Sequence, residues 1–167
     1  KMKKHNVQTQ IYVFEMPDIK ESVLSAISSM GTHSLVEEDQ QISNTDWHLN
    51  ANTIRPYFDI VDTHINKCID EITADTLYKK ATINNFWFQQ YNKGDYHGWH
   101  NHVGSTYSSV YYVELPDNTA TTFESNGKEF NIDVKEGDFI VFPSVFRHCS
   151  KANKTDETKT VVAMNID

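Results

Sequence analysis

The chain is poor in the residues that staple, span or bind nucleic acid. Two of its 167 residues are cysteine, and Cys68 and Cys149 sit in unrelated contexts without C-x-x-C spacing. That excludes a disulfide framework and a thiolate zinc site, and both are expected as buried small hydrophobes. No apolar run approaches the roughly 20 residues of a membrane helix, so no membrane partner is expected. Four prolines and six glycines leave no Pro/Gly-rich linker, and no repeat or low-complexity tract divides the chain. Basic charge is short as well: 15 Lys and Arg against 23 Asp and Glu leave a net −8, which repels phosphate backbones and argues against nucleic acid as a partner. The two lysine-bearing stretches, KMKK at the start and KANKTDETK over 151–159, read as solvated surface. The start also lacks the apolar segment of a secretory leader. Length and composition fit one soluble domain over 1–167, expected in the cytoplasm.

What is present changes texture near residue 80. TQIYVFEM over 9–16 is rich in β-branched and aromatic residues and ends at Pro17, which predicts a strand running into the first turn of a helix. PDIKESVLSAISSM then sets Ile19, Val23, Leu24, Ile27 and Met30 at helical spacing, with Gly31 as the stop. After a polar stretch, a second helix is predicted from about Thr53 to Ile72, its apolar stripe including Ile54, Phe58, Val61, Ile65, Cys68 and Ile72. Beyond residue 80 come short β-type runs, among them TINNFWFQQYN, TYSSVYYVELP, GDFIVFP and KTVVAMNI. Turns at Pro116-Asp117-Asn118, Asn126-Gly127 and Glu136-Gly137-Asp138 punctuate them. Such spacing predicts an antiparallel sandwich or barrel covered on one sheet by the preceding helices, a mainly β, α+β fold.

Within this half, GDYHGWHNH packs three of eight histidines into nine residues. On a strand, residues two apart point to one side with Cα atoms roughly 6.5 to 7 Å apart, so the imidazoles of His100 and His102 can converge on a metal ion. His148, at the end of GDFIVFPSVFRHC, is the candidate third ligand. Three ligands on one face leave positions open for substrate and cosubstrate. His97, an odd number of residues from His100, is expected on the opposite face, exposed or at best supporting the ligands. A His-x-His pair on a surface strand is also common without metal.

The order Gly94, His100-x-His102, Gly137, Pro143, His148 and Asn153 resembles the two-part signature of the cupin, or double-stranded β-helix, superfamily. FQQYNKGDYHGWHNH, SVYYVELP, EGDFIVFPSVFRHC and KTVVAMNI together look like the Fe(II)- and 2-oxoglutarate-dependent oxygenases, the prolyl hydroxylases included, over about residues 84 to 166. The resemblance implies a double-stranded β-helix (jelly roll) core over 81–167, with 1–80 supplying helical support and a first strand. It implies Fe(II) on His100 and His148, the two histidines of a facial triad, with His102 where most members carry Asp or Glu. A carboxylate such as Asp95 or Glu124 is the alternative third ligand. Lys159 takes the place of the basic residue that pairs with the distal carboxylate of 2-oxoglutarate, and Tyr112 and Tyr91 match tyrosines near that cosubstrate. For both tyrosines an ordinary place in the core stays open, as does an exposed strand end for Lys159. From the residues alone, a lysine opening an otherwise apolar strand would cost several kcal/mol to bury without an anion.

The resemblance therefore implies a dioxygenase that decarboxylates 2-oxoglutarate to succinate and hydroxylates a C–H bond on a protein or peptide side chain or a small molecule. Two other classes remain open at this point: a three-histidine cupin metalloenzyme that uses no 2-oxoglutarate, and a non-catalytic β-domain that acts as a binding module.

Overall fold

The computed structural model describes residues 2–3, 8–31, 33–50, 52–76, 80–117 and 119–167. Lys1 and Lys4 of the basic start and Asn118 of the 116–118 turn lie outside the described residues. Thirteen elements run in the order β1 (Tyr12–Glu15), α1 (Lys20–Ser28), β2 (His33–Glu37), β3 (Gln40–Thr45), α2 (Pro56–Thr76), β4 (Ile83–Tyr91), β5 (Tyr96–His100), β6 (Tyr107–Glu114), β7 (Thr122–Ser125), β8 (Lys128–Asn131), β9 (Asp138–Pro143), β10 (Arg147–Ser150) and β11 (Lys159–Ile166). All strand pairs are antiparallel, and the strands hydrogen-bond in the order β1-β9-β6-β11-β4-β3-β5-β10-β7-β8, with β2 on β3. The sheet curls into the jelly roll expected from the sequence.

The two faces of the curled sheet serve different purposes. Outward, Phe88, Tyr111, Phe139, Val162 and Met164 pack against Val23 and Ile27 of α1 and Tyr57, Val61, Ile65 and Ile69 of α2. Inward, Ile42, Tyr91, Tyr112, Phe123, Phe142 and Val161 form a second cluster. Covering both faces explains why β9 and β11 read as near-continuous apolar runs and not as alternations. Lys159 is the inward exception at one end of β11, 2% exposed.

Three expectations shift. Helix α1 begins at Lys20, not at Pro17, because the β1 segment stays paired to Met16, whose amide donates to Gly137 O at 3.0 Å. Helix α2 begins at Pro56, where a missing N–H costs nothing, so Ile54 precedes the helix and is 81% exposed. The polar stretch between the helices forms the β2–β3 hairpin, which places strands from the first half in the same sheet as the second.

That hairpin runs into a buried anchor. Asp46, fully buried, takes the Arg55 Nε at 2.6 Å and the Tyr57 hydroxyl at 2.7 Å on one carboxylate oxygen, and the Phe88 amide at 2.8 Å on the other. Arg55 spends its remaining donors on the carbonyls of Asp46, Leu49, Asn50 and Thr53. Every charge here is paired, as burial demands. The network ties the start of α2 to β4 at the residue between Trp87 and Gln89, both of which face the site.

Candidate metal centre

Strand β10 lies between β5 and β7, and His148 is the direct cross-strand partner of His100. Two strands distant in sequence thus set two imidazoles side by side, with ring centroids 4.3 Å apart. His102 lies just past β5, where its amide donates to Ser144 O at 3.1 Å. That bond steers the chain beyond the strand so that the His102 ring faces the other two, 5.1 Å from His100 and 5.2 Å from His148. One nitrogen from each of the three lies within 4.8 Å of the others. Asp95 and Glu124, the alternative donors, are occupied elsewhere. Asp95 accepts from Ser43 Oγ and from the Asn92 amide in the turn before β5, while Glu124 pairs with Arg147 at 2.8 Å.

The donor set suits a divalent metal. Nδ1 of His100 faces Gly98 O at 2.8 Å and Nδ1 of His148 faces Phe146 O at 2.9 Å. Protonated on Nδ1, each ring presents its Nε2 lone pair, the arrangement that orients metal-binding histidines. Burial holds all three in the neutral, ligating form: it lowers His100, and pushes His102 down to about 4 and His148 to about 3, with the neighbouring imidazoles adding to the latter two.

His97 is not where strand parity puts it. On β10, His148 and Ser150 are two apart, yet they face His100 and His97, three apart on β5. This irregularity inserts a residue and reverses the parity, as a β-bulge does. His97 therefore lines the same cavity, its ring stacked on that of His100 at 3.9 Å and 13°. Gly98 sits inside the irregularity, where a Cβ would lie 2.6 Å from Asp39 O, and its amide donates to that oxygen at 2.8 Å. Only glycine admits this approach of the β2–β3 turn to β5.

The three histidines and Lys159 line one narrow cavity. Lys159 Nζ donates to Thr119 O at 2.5 Å and Ser150 Oγ at 2.8 Å, and lies 5.2 Å from the centre of the Tyr91 ring. Among the described residues no carboxylate pairs with it, and burial lowers its pKa to about 7. Tyr91 also lines the cavity, its hydroxyl donating to Gln89 Oε1 at 2.9 Å. Tyr112 is fully buried, its hydroxyl donating to Thr121 Oγ1 at 2.8 Å and accepting from the Thr121 amide at 3.2 Å, and it does not line the cavity. Asn153, in the stretch read as solvated surface, is 1% exposed and bonds Tyr91 O at 3.0 Å and Glu157 O at 2.7 Å. It fastens the loop before Lys159 to the end of β4.

Comparison with known proteins agrees with this geometry. Residues 85–165 match the family described as "Putative 2OG-Fe(II) oxygenase". No curated protein matches the chain in sequence. Among solved structures, an oxidoreductase of the 2OG-Fe(II) oxygenase family from Burkholderia pseudomallei superposes with a TM-score of 0.70 at 10% identity, covering 93% of this chain and 85% of that one. A prolyl hydroxylase from Trichoplax adhaerens, in complex with a hypoxia inducible factor peptide fragment, gives 0.69 at 11%, covering 93% and 82%. HygX from Streptomyces hygroscopicus, with nickel, 2-oxoglutarate and hygromycin B bound, gives 0.65 at 11%, covering 93% and 82%. At such identities these structures share the fold.

Proposed function

We propose that this chain, whose residues 85–165 belong to the 2OG-Fe(II) oxygenase family, holds Fe(II) on His100, His102 and His148 and anchors 2-oxoglutarate on Lys159. The family makes it an enzyme, a 2-oxoglutarate/Fe(II)-dependent oxygenase with those two cofactors. The observation that carries the residue assignment is the buried Lys159 ammonium, with no carboxylate partner among the described residues, lining the same cavity as three converging imidazoles. A cavity with a metal face and a lone cation fits a ligand that chelates at one end and carries a carboxylate at the other. A three-histidine enzyme without 2-oxoglutarate would leave that cation buried with no anion, at a cost of several kcal/mol.

When bound, iron with 2-oxoglutarate supplies oxidative decarboxylation to succinate and the insertion of oxygen into a C–H bond. The chain's own part is positioning. Gly98 O and Phe146 O fix two imidazole planes, His97 packs on His100, and Trp87 stacks over His102 at 5.9 Å. Phe142 packs edge-on against His148 at 4.8 Å, and His148 is 5% exposed. Lys159 fixes the far end of the cosubstrate with one buried charge. The favoured prime substrate is a protein or peptide side chain; a peptide occupies the similar prolyl hydroxylase, although HygX with its bound hygromycin B keeps a small molecule in view.

The test is bound iron, measured with circular dichroism on the same samples. His100→Ala and His148→Ala each lose tight Fe(II) binding and keep the parent spectrum. Iron stoichiometry unchanged in either variant rejects the ligand assignment.

A further inference from the structure

Beside the cosubstrate cavity lies a second cleft, between the β2–β3 hairpin and the chain from His97 to His102. The two spaces share Trp87, Gln89 and the rings of His97, His100 and His102, so whatever lies in the cleft reaches the metal position directly. Glu37 and Asp39 line the cleft, and among the described residues no lysine or arginine does. The Gly98 bond to Asp39 O holds the acidic turn against β5. Trp47 borders the cleft 48% exposed, its ring edge-on to Trp87 at 4.5 Å. An open indole and two carboxylates lining one cleft, with Glu37 also accepting from Gln40 Nε2 at 2.6 Å, suit a cation.

Gln89 provides a separate observation. It is 7% exposed and borders both spaces, its Oε1 accepts from the Tyr91 hydroxyl, and its amide nitrogen meets no acceptor among the described residues. That nitrogen is open to the space it borders and is free to donate to a ligand. A peptide carbonyl is the natural acceptor.

We propose that this cleft binds the prime substrate as a peptide segment carrying a lysine or arginine, the cationic head lying on Trp47 against Glu37 and Asp39 and a backbone carbonyl accepting from Gln89. The inference rests on the oxygenase reading above and names its substrate class. The net charge of −8 adds a long-range attraction of the same sign.

The test uses the full chain loaded anaerobically with Fe(II) and 2-oxoglutarate, and labelled nine-residue glycine-alanine host peptides that carry lysine, norleucine or glutamate at the centre. Fluorescence anisotropy reads the binding. From one cation–π contact and two partly exposed carboxylates, the lysine peptide is expected to bind about tenfold tighter than the norleucine peptide, with glutamate weakest. Added salt shrinks the difference. The Glu37→Gln/Asp39→Asn double variant abolishes most of the preference, and Trp47→Ala weakens the lysine peptide alone. Equal binding of the three peptides, no binding of any at millimolar concentration, or a lysine preference that survives in the double variant overturns the proposal. The visible absorption of the loaded parent is recorded on the same samples. A sample without the charge-transfer band of chelated 2-oxoglutarate rejects the oxygenase reading itself, whereas a band with no lysine preference rejects only the substrate class.

Discussion

Replacing Lys159 by methionine separates what the residue does for stability from what it does for binding. The side chain keeps nearly the same length and loses only its charge and its donors. Burial lowers the ammonium from its ordinary 10.5 to about 7. At pH 7 a gap of that size corresponds to a penalty of about 4 kcal/mol on the cofactor-free fold, as an order of magnitude. The sign follows from proton binding: between pH 7 and 10.5 the unfolded chain holds the proton that the folded chain releases, so this group makes the parent more stable as pH rises across that window. Removing the ammonium relieves the penalty, but leaves Thr119 O and Ser150 Oγ without their donor, which returns about 1 to 3 kcal/mol. Lys159→Met is therefore expected to stabilise the cofactor-free protein by about 1 to 3 kcal/mol at pH 7 and to flatten its stability between pH 7 and 10.5. Its affinity for 2-oxoglutarate should fall about ten- to hundredfold, the worth of one charge-assisted hydrogen bond. Denaturant melts across pH, with cosubstrate titration of the iron-loaded protein, measure both. A variant less stable than the parent at pH 7, or one that binds 2-oxoglutarate as tightly, refutes the reasoning.

His102→Asp restores the carboxylate of the usual facial triad and lowers the charge of the iron site by one; it should keep iron while His102→Ala weakens it, and identical iron affinity in parent and both variants would mean that the side chain points elsewhere. In the parent, 2-oxoglutarate affinity should fall as pH rises above about 7, because the free site then loses the Lys159 proton; a flat profile from pH 7 to 9 contradicts a depressed lysine. Asp46→Ala strands the buried Arg55 guanidinium and is expected to cost about 3 to 5 kcal/mol in a denaturant melt, against which a loss below about 1 kcal/mol would show that the network is not load-sharing. Gly98→Ala drives a Cβ to 2.6 Å from Asp39 O and should cost about 1 to 3 kcal/mol, with weaker iron binding from the displaced His100; full iron affinity would free the β2–β3 turn of any role at the site.

The core strands were legible because their sequences carry the signal themselves. GDFIVFP and KTVVAMNI are apolar on both faces and bounded by turn residues, and they fold as β9 and β11. The meeting of His100, His102 and His148 was legible from two strand-like runs and a family resemblance in their spacing. The β2–β3 hairpin was not: its residues have little apolar alternation, and Ile42 is the one large apolar side chain that it buries fully, so its strands exist through pairing with β4 and β5. His97 was misplaced because strand parity holds only without an irregularity, and the pairing that creates one lies on β10, some fifty residues on. Gln89, Trp47 and the Asp46 network gave no local sign, since each acquires its role from a partner distant in sequence or from the cleft itself. Gly98 was the available hint, a glycine inside a strand, which often marks a bulge or a close backbone approach.

The central claim is that three histidines and one lysine share a single chelating ligand, and anaerobic addition of 2-oxoglutarate to the Fe(II)-loaded protein tests it most directly. The account predicts a visible metal-to-ligand charge-transfer band that saturates stoichiometrically in the parent, needs more 2-oxoglutarate in Lys159→Met, and is lost in His100→Ala and His148→Ala. A parent that binds iron yet stays colourless, or a His148→Ala variant with the parent's band, would contradict it.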